Sequence, residues 1–425
     1  MSLTAITDAQ VFDGEKSVGV RTVVIDGGRI VRVGGDAPQG SEIVDGRGAT
    51  LLPGLIDAHV HSAPGSLALA LRFGVTTELE MQGMNTRENR GHITDDDTVA
   101  DVRSAGFGIT PPGGHPSELM PEGFRPKWDL PPVMPLMPFS TTPEEAAAFV
   151  PQLLARGSDF IKFMIDDGSV EGHPGLPSLD QATVNAGVAE AKKYGALTVA
   201  HTLTVEATRM AAEAGVDGLA HVFMDQPHTA EIIGLVKEAG MFVVPCISLN
   251  ASMMGITGSE LADDPRVAAR LDSAWDRTLR SSYNRYPQGR LDDVYDTVRA
   301  LDAAGVDVLA GTDVSMPETF FGGLAHGASL HHELQYLVAA GLTPSGALRA
   351  ATATTARRFR LGDRGRIAEG LRADLLLVDG DPTTDISDTL NTRAIWRRGT
   401  RLAPYPGPNG VTGGALRAGG ADEWE

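Results

Sequence analysis

Two histidines stand two residues apart in His59-Val60-His61, at the end of an apolar run that begins at Leu55. On a strand, side chains two apart project from the same face, so both imidazoles would leave the chain together. Further ionisable residues close other apolar, β-rich runs. Lys162 interrupts Asp159-Phe-Ile-Lys-Phe-Met-Ile165, His201 follows Leu197-Thr-Val-Ala200, His221 follows Gly218-Leu-Ala220, and Asp313 follows Val308-Leu-Ala-Gly-Thr312. An unpaired polar group in such surroundings is costly, so each needs a partner. Imidazole with carboxylate is a ligand set for Zn²⁺ first, with Mn²⁺, Co²⁺ or Fe²⁺ as alternatives.

Lys162 is the odd member, because an ammonium only donates and cannot ligate a cation. Reaction of its amine with CO2 would give N6-carboxylysine, an anionic ligand able to bridge two cations. The alternative is a buried lysine paired with Asp166 or Asp167. The single cysteine, Cys246, sits in Val243-Val-Pro-Cys-Ile247 and reads as a buried structural thiol. It excludes an internal disulfide and any multi-cysteine metal site.

These residues need elements that bring them together. From Gly54 to about Phe359, β-rich runs alternate with Ala-rich helical text such as Leu179–Tyr194 and Val205–Ala214, the sign of repeated βα units. Eight strands are predicted: Leu55–His61, Val75–Met81, Gly106–Pro112, Asp159–Asp166, Leu197–Leu203, Gly218–Phe223, Met241–Leu249 and Val306–Asp313. Eight such units predict an α/β chain with a closed (β/α)8 TIM barrel, whose strand ends form one ring at the C-terminal mouth. Both ends of the chain are β-rich: Ala5–Phe12, Arg21–Ile25 and Arg29–Val33 first, Gly365–Ile367, Ala373–Asp379 and Ala394–Arg398 last. Neither end can build a core alone, so they predict one small composite β-sandwich. The expected domains are 1–53 for the first sandwich part, 54–356 for the barrel, 357–403 for the second part, and a flexible Pro- and Gly-rich tail over 404–425.

Taken together, the motifs resemble the amidohydrolase superfamily of metal-dependent hydrolases. The resemblance rests on Pro53-Gly-Leu-Ile-Asp-Ala-His-Val-His61, Lys162, the His201 and His221 pair, Ala310-Gly-Thr-Asp313, Gly341-Leu-Thr-Pro-Ser-Gly-Ala-Leu-Arg-Ala-Ala-Thr352, and Gly370-Leu-Arg-Ala-Asp-Leu-Leu-Leu-Val-Asp379. It covers about residues 5 to 400 and is greatest for the imidazolonepropionase-related branch with a carboxylated lysine, which includes prolidase-like dipeptidases and an ochratoxin hydrolase. The resemblance implies two divalent ions, with His59, His61 and Asp313 on one, His201 and His221 on the other, and carboxylated Lys162 bridging them with a hydroxide. It implies cleavage of an amide-type C–N bond in an acyl amino acid, dipeptide, cyclic amide or amide xenobiotic, with Asp313 as general acid and base. Alternatives on the same site are a lactone, carbamate or ester hydrolase, then a mononuclear deaminase, then a non-catalytic scaffold.

Four residues are candidate substrate contacts: His115 in Pro111-Pro-Gly-Gly-His-Pro116, His173 in Val170-Glu-Gly-His-Pro174, and Asn250 and Tyr283 beyond the seventh strand. The stretch from Asp263 to Ala304 reads as added helices, with a lid or plain surface packing as its roles. Glu78 or Glu80 would accept a hydrogen bond from a ligand imidazole, with ion pairing as the alternative. His326, His331 and His332 read as packing beside the mouth. Met81, Met84, Met120, Met134 and Met137 would line a malleable pocket or fill the core. Arg87, Arg90 and Arg285 are candidates for holding a substrate carboxylate.

Composition narrows the partners. Over 425 residues, 36 Lys plus Arg against 55 Asp plus Glu leave a net charge of −19, which repels nucleic acid and anionic membranes. The start lacks a basic and apolar leader pattern and no run is long enough to span a membrane, so a cytoplasmic protein acting on a small molecule is expected. Homo-oligomerisation is left open.

Overall fold

The computed structural model describes residues 3–63, 65–119 and 137–404. Met120, Met134 and residues 405–425, which hold nearly all of the expected tail, lie outside them.

Strands from the two ends of the chain share one sheet. Its N-terminal members are β1 (Thr4–Phe12), β2 (Ser17–Asp26), β3 (Arg29–Val33), β4 (Glu42–Asp45) and β5 (Ala49–Pro53). The parallel strands of the central region are β6 (Leu55–Val60), β7 (Val75–Glu80), β8 (Asp101–Ser104), β9 (Ile161–Met164), β10 (Thr198–His201), β11 (Gly218–Ala220), β12 (Phe242–Val244) and β13 (Asp307–Val308). The chain closes with β14 (Leu375–Asp379), β15 (Thr392–Arg397) and β16 (Thr400–Arg401). The end strands run β16-β15-β14-β5-β1-β2-β3, with β4 also paired to β1, so β14 against β5 joins the two ends.

The run Leu375-Leu-Leu-Val378 is apolar throughout because its sheet is packed on both faces. Leu375 and Leu377 enter a small core with Ile6, Val23 and Trp396, while Leu376 and Val378 enter the large core of the central strands. Leu51 and Leu52 on β5 divide the same way.

The central strands form two parallel sheets, β6-β7-β8 and β9-β10-β11-β12-β13. Isolated parallel bridges meet at both seams, Ile109 with Phe163 and Val60 with Val314. Helices between them begin on side-chain caps: Asp180 accepts from Thr183 N–H at the start of Gln181–Lys193, and Thr204 from Ala207 N–H at the start of Val205–Ala214. No helix among the described residues is long and apolar enough to cross a membrane.

Three strand expectations are corrected. The third parallel strand is Asp101–Ser104 rather than Gly106–Pro112, since Gly106 turns the chain at φ +70° and leaves Ile109 a lone bridge. The charged text Asp101-Val-Arg-Ser104 conceals that strand. The seventh ends at Val244, because Pro245 and a left-handed Cys246 (φ +51°) turn the chain into the helix Ile247–Met253. Gly365–Ile367 forms no strand, with Gly365 at φ +79°. The added helices after β12 are Ser259–Asp263, Pro265–Ala268 and Ser273–Leu279, and Leu291–Ala304 then leads back to β13.

At the start of β8, far along the chain from the closing sheet, Asp101 is buried among arginines. Its carboxylate meets Arg103 at 3.0 Å, Arg372 at 3.0 Å, and Arg364. Arg364 also donates to Thr77 Oγ1 at 3.1 Å, and Arg372 pairs with buried Asp374. This network ties the central strands to the closing sheet. Burial alone would raise the Asp101 carboxyl, but Arg364, Arg103, Arg372 and Arg397 outweigh it and hold it below the usual carboxylate range.

Candidate metal centre

Strand register sets the height of each candidate ligand. Met164, His201, Ala220 and Val244 lie in one row across β9 to β12. Lys162 therefore sits two residues below that row, His201 in it, and His221 one residue above. On the other seam, His59 O accepts from Asp313 N–H at 2.7 Å and His61 N–H donates to Val314 O at 2.8 Å. Asp57 braces this seam, accepting from His59 N–H and Thr312 N–H at 3.1 Å each and from Thr312 Oγ1 at 2.8 Å.

Gly311 makes the close approach possible. A Cβ there would lie 2.4 Å from Val244 Cγ1 and 2.8 Å from His59 N. Gly311→Ala is expected to cost about 1–3 kcal/mol by overpacking and to displace His59, which thermal unfolding and metal content together would check. Unchanged values of both would show that the seam yields freely.

The six residues converge. His59 Nε2 and His61 Nε2 each lie 2.8 Å from Asp313 Oδ1, and His221 Nε2 lies 3.8 Å from Asp313 Oδ2. The His221 ring is 4.8 Å from that of His59 and 4.7 Å from that of His201, centroid to centroid. His221 and Asp313 leave their strands in the left-handed region at φ +72° and +61°, a conformation costing about 1–3 kcal/mol each that clusters at functional sites.

The donor set fits divalent cations. Lys162 Nζ and both ring nitrogens of His221 are buried without a hydrogen-bond partner. Lys162 is thus not paired with Asp166 or Asp167, since Asp166 meets His201 instead. Burial pushes His59 down to about 3 and His201 to about 4, and lowers His221 as well, so all three are neutral imidazoles with lone pairs at pH 7. Burial likewise brings the Lys162 amine down to about 8, against the pull of Asp313. His61 Nδ1–H donates to Gln82 O at 3.1 Å, which leaves its Nε2 free to ligate.

Beside this group the structure builds a second one. His115, Asp166, Glu171 and His201 each offer a buried ligand atom, all within 4.8 Å of one another. The rings of His115 and His201 stack at 4.2 Å, His201 Nε2–H donates to Asp166 Oδ2 at 2.6 Å, and His115 Nδ1–H donates to Glu118 Oε1 at 2.6 Å. Burial would lower His115, but Glu118, Glu171 and Asp166 carry it up to about 9, while burial raises Glu171 to about 8.

A cavity of about 680 Å³ opens onto these groups. His115 and Tyr283 line it, with Met84, Ile93, Phe107, Leu249, Met253 and Phe321 among the apolar side chains. His173 is exposed and Asn250 is buried behind the lining; neither reaches the cavity. In the loop Val170-Glu-Gly-His173 the residue that turns inward is Glu171. Glu78 pairs with His326 at 2.8 Å, and Glu80 accepts from Ser104 Oγ at 2.5 Å and Asn85 Nδ2 at 2.7 Å, so neither meets a ligand imidazole. His331 packs in the core between Phe73 O and Thr389 Oγ1. Met81 is core and Met137 lies off the cavity. Among the described residues no arginine lines the cavity: Arg87, Arg90 and Arg285 are absent from it, and Arg90 is bound to Asp159.

The Amidohydrolase family matches residues 50–399. The chain belongs to that family. It is 26% identical to an allantoinase of Solibacter usitatus over 91% of this chain and 85% of that protein. Among solved structures it is similar to a Xaa-Pro dipeptidase with bound methionine, at 25% identity, TM-score 0.71, and coverage of 95% of this chain and 100% of the other. Ochratoxinase of A. niger follows at 21% identity and TM-score 0.72, with 96% and 98% covered. These likenesses carry the α/β fold of TIM-barrel type. Adenine deaminases of Lysinibacillus sphaericus and Methanoregula boonei also match, but the chain spans 12% and 14% of their lengths.

Proposed function

We propose that this family member is a metal-dependent hydrolase of an amide-type C–N bond, working at a binuclear centre. The carrying observation is the meeting of His59, His61, His201, His221 and Asp313 around Lys162, whose buried amine has no partner. The eight parallel strands act as one closed barrel over 54–356, and 1–53 with 357–403 act as the sandwich-like unit flanking it. An allantoinase and a Xaa-Pro dipeptidase among the relatives support the amide-type bond.

In this reading His59, His61 and Asp313 would hold one ion and His201 and His221 the other, and Lys162, once carboxylated, would supply an anionic ligand between them. When bound, Zn²⁺ or a similar ion polarises the scissile carbonyl and acidifies water. Asp313 accepts the proton of the attacking water and returns it to the leaving nitrogen as the C–N bond breaks, so one carboxylate serves as base and then acid. Tyr283 keeps its proton, because burial, Asp313 and Glu171 all disfavour the phenolate, and it can donate to substrate from the cavity wall. The apolar lining favours neutral, bulky amides over substrates with a free carboxylate.

The test is hydrolysis of a panel of acyl amino acids, dipeptides, cyclic amides, neutral anilides, carbamates and lactones, before and after chelation. The proposal expects amide cleavage that chelation removes and Zn²⁺ restores. Release of ammonia from ring amines alone would make the protein a deaminase, and no turnover with no bound metal would leave a scaffold.

A further inference from the structure

We infer a cation site separate from the Lys162 centre, held by His115, Asp166 and Glu171 with His201 at its edge. Two imidazoles and two carboxylates, all buried, bring their ligand atoms within 4.8 Å of one another, which is a complete first-row divalent ligand set. If His201 is committed to the Lys162 centre, three ligands remain, the number an open site keeps.

The neighbours are arranged as supports for such ligands. His115 gives its Nδ1–H to Glu118 at 2.6 Å, so its Nε2 is the nitrogen left for a metal, in the carboxylate–histidine–metal pattern. Asp166 is fixed through its other oxygen, which accepts from Gly168 N–H at 2.6 Å. Glu118 Oε2 is buried with no partner of its own. Asp166, Glu171 and Glu118 thus gather three buried carboxyl groups around His115.

The site adjoins the cavity through His115, Glu171 and His201, which places its ion beside a bound substrate rather than in the protein interior.

The experiment is stoichiometry. The full chain is stripped with chelator, refilled with Zn²⁺ alone, desalted, and its metal counted beside Glu171→Gln, Lys162→Ala and the double variant. The inference expects Glu171→Gln to hold one ion fewer than wild type, and the double variant one fewer than Lys162→Ala. Equal counts with and without Glu171 overturn it. Loss of metal in Lys162→Ala bears on the binuclear centre instead, so the two readings fail separately. If Glu171→Gln does not fold by circular dichroism, His115→Gln makes the same comparison.

Discussion

Asp313→Asn is expected to lower kcat by about 10²–10⁴-fold, the range that a positioned acid–base group contributes. Asparagine keeps the shape and one ligating oxygen beside His59 and His61, yet it can neither take the water's proton nor return it. The fold should survive, because the backbone of Asp313 is held through His59 O and its left-handed φ of +61° is one that asparagine also tolerates. The measurement is steady-state turnover of the best amide substrate, with metal content and melting temperature taken on the same preparations. A loss of turnover that excess Zn²⁺ fully restores would reduce Asp313 to a ligand and remove its acid–base role.

Asp101→Ala carries the largest expected effect on stability, about 3–5 kcal/mol, because removing one member of a buried ion network strands the others. Arg364 is 5% exposed and Arg397 fully buried, so neither can turn to water when the carboxylate goes. The network also has a pH signature. The folded Asp101 carboxyl lies below its ordinary value of 3.8, so its stabilisation is complete above that value and is lost as pH falls from there toward the folded pKa. Denaturant unfolding of wild type and Asp101→Ala between neutral pH and pH 3 checks both parts. The expected gap is widest at neutral pH and narrows in acid; a constant small gap would mean that the arginines find other partners.

Much of this organisation is legible in the amino-acid text, and the exceptions share a cause. Strands whose apolar text is continuous, such as those carrying Lys162 and His201, stand where periodicity places them. β8 escapes such a reading because Asp101 and Arg103 look like surface residues until Arg364 and Arg372, more than 250 positions away, pair with the Asp101 carboxylate that Arg103 also meets. The two faces of β14 need two cores on opposite sides, which one strand's composition can suggest but cannot assign. At the site, residues that close strands can be found because strand ends must converge in a parallel sheet. Loop residues have no such constraint: Glu171 faces the cavity and His173 faces water, two positions apart, as the turn around Gly168 and Gly172 dictates. The signal that could have found the second group is Asp166, four residues past Lys162, a carboxylate too close to a ligand strand to be idle.

Metal content per chain, measured by elemental analysis on wild type and on Lys162→Ala purified in the same way, bears most directly on the lysine-bridged centre. Wild type should hold about two divalent ions or more, with a loss of at least one when the bridging side chain is removed. Equal metal content in the two proteins would contradict the bridged centre, because Lys162 would then hold no metal and its unpartnered amine would need another explanation.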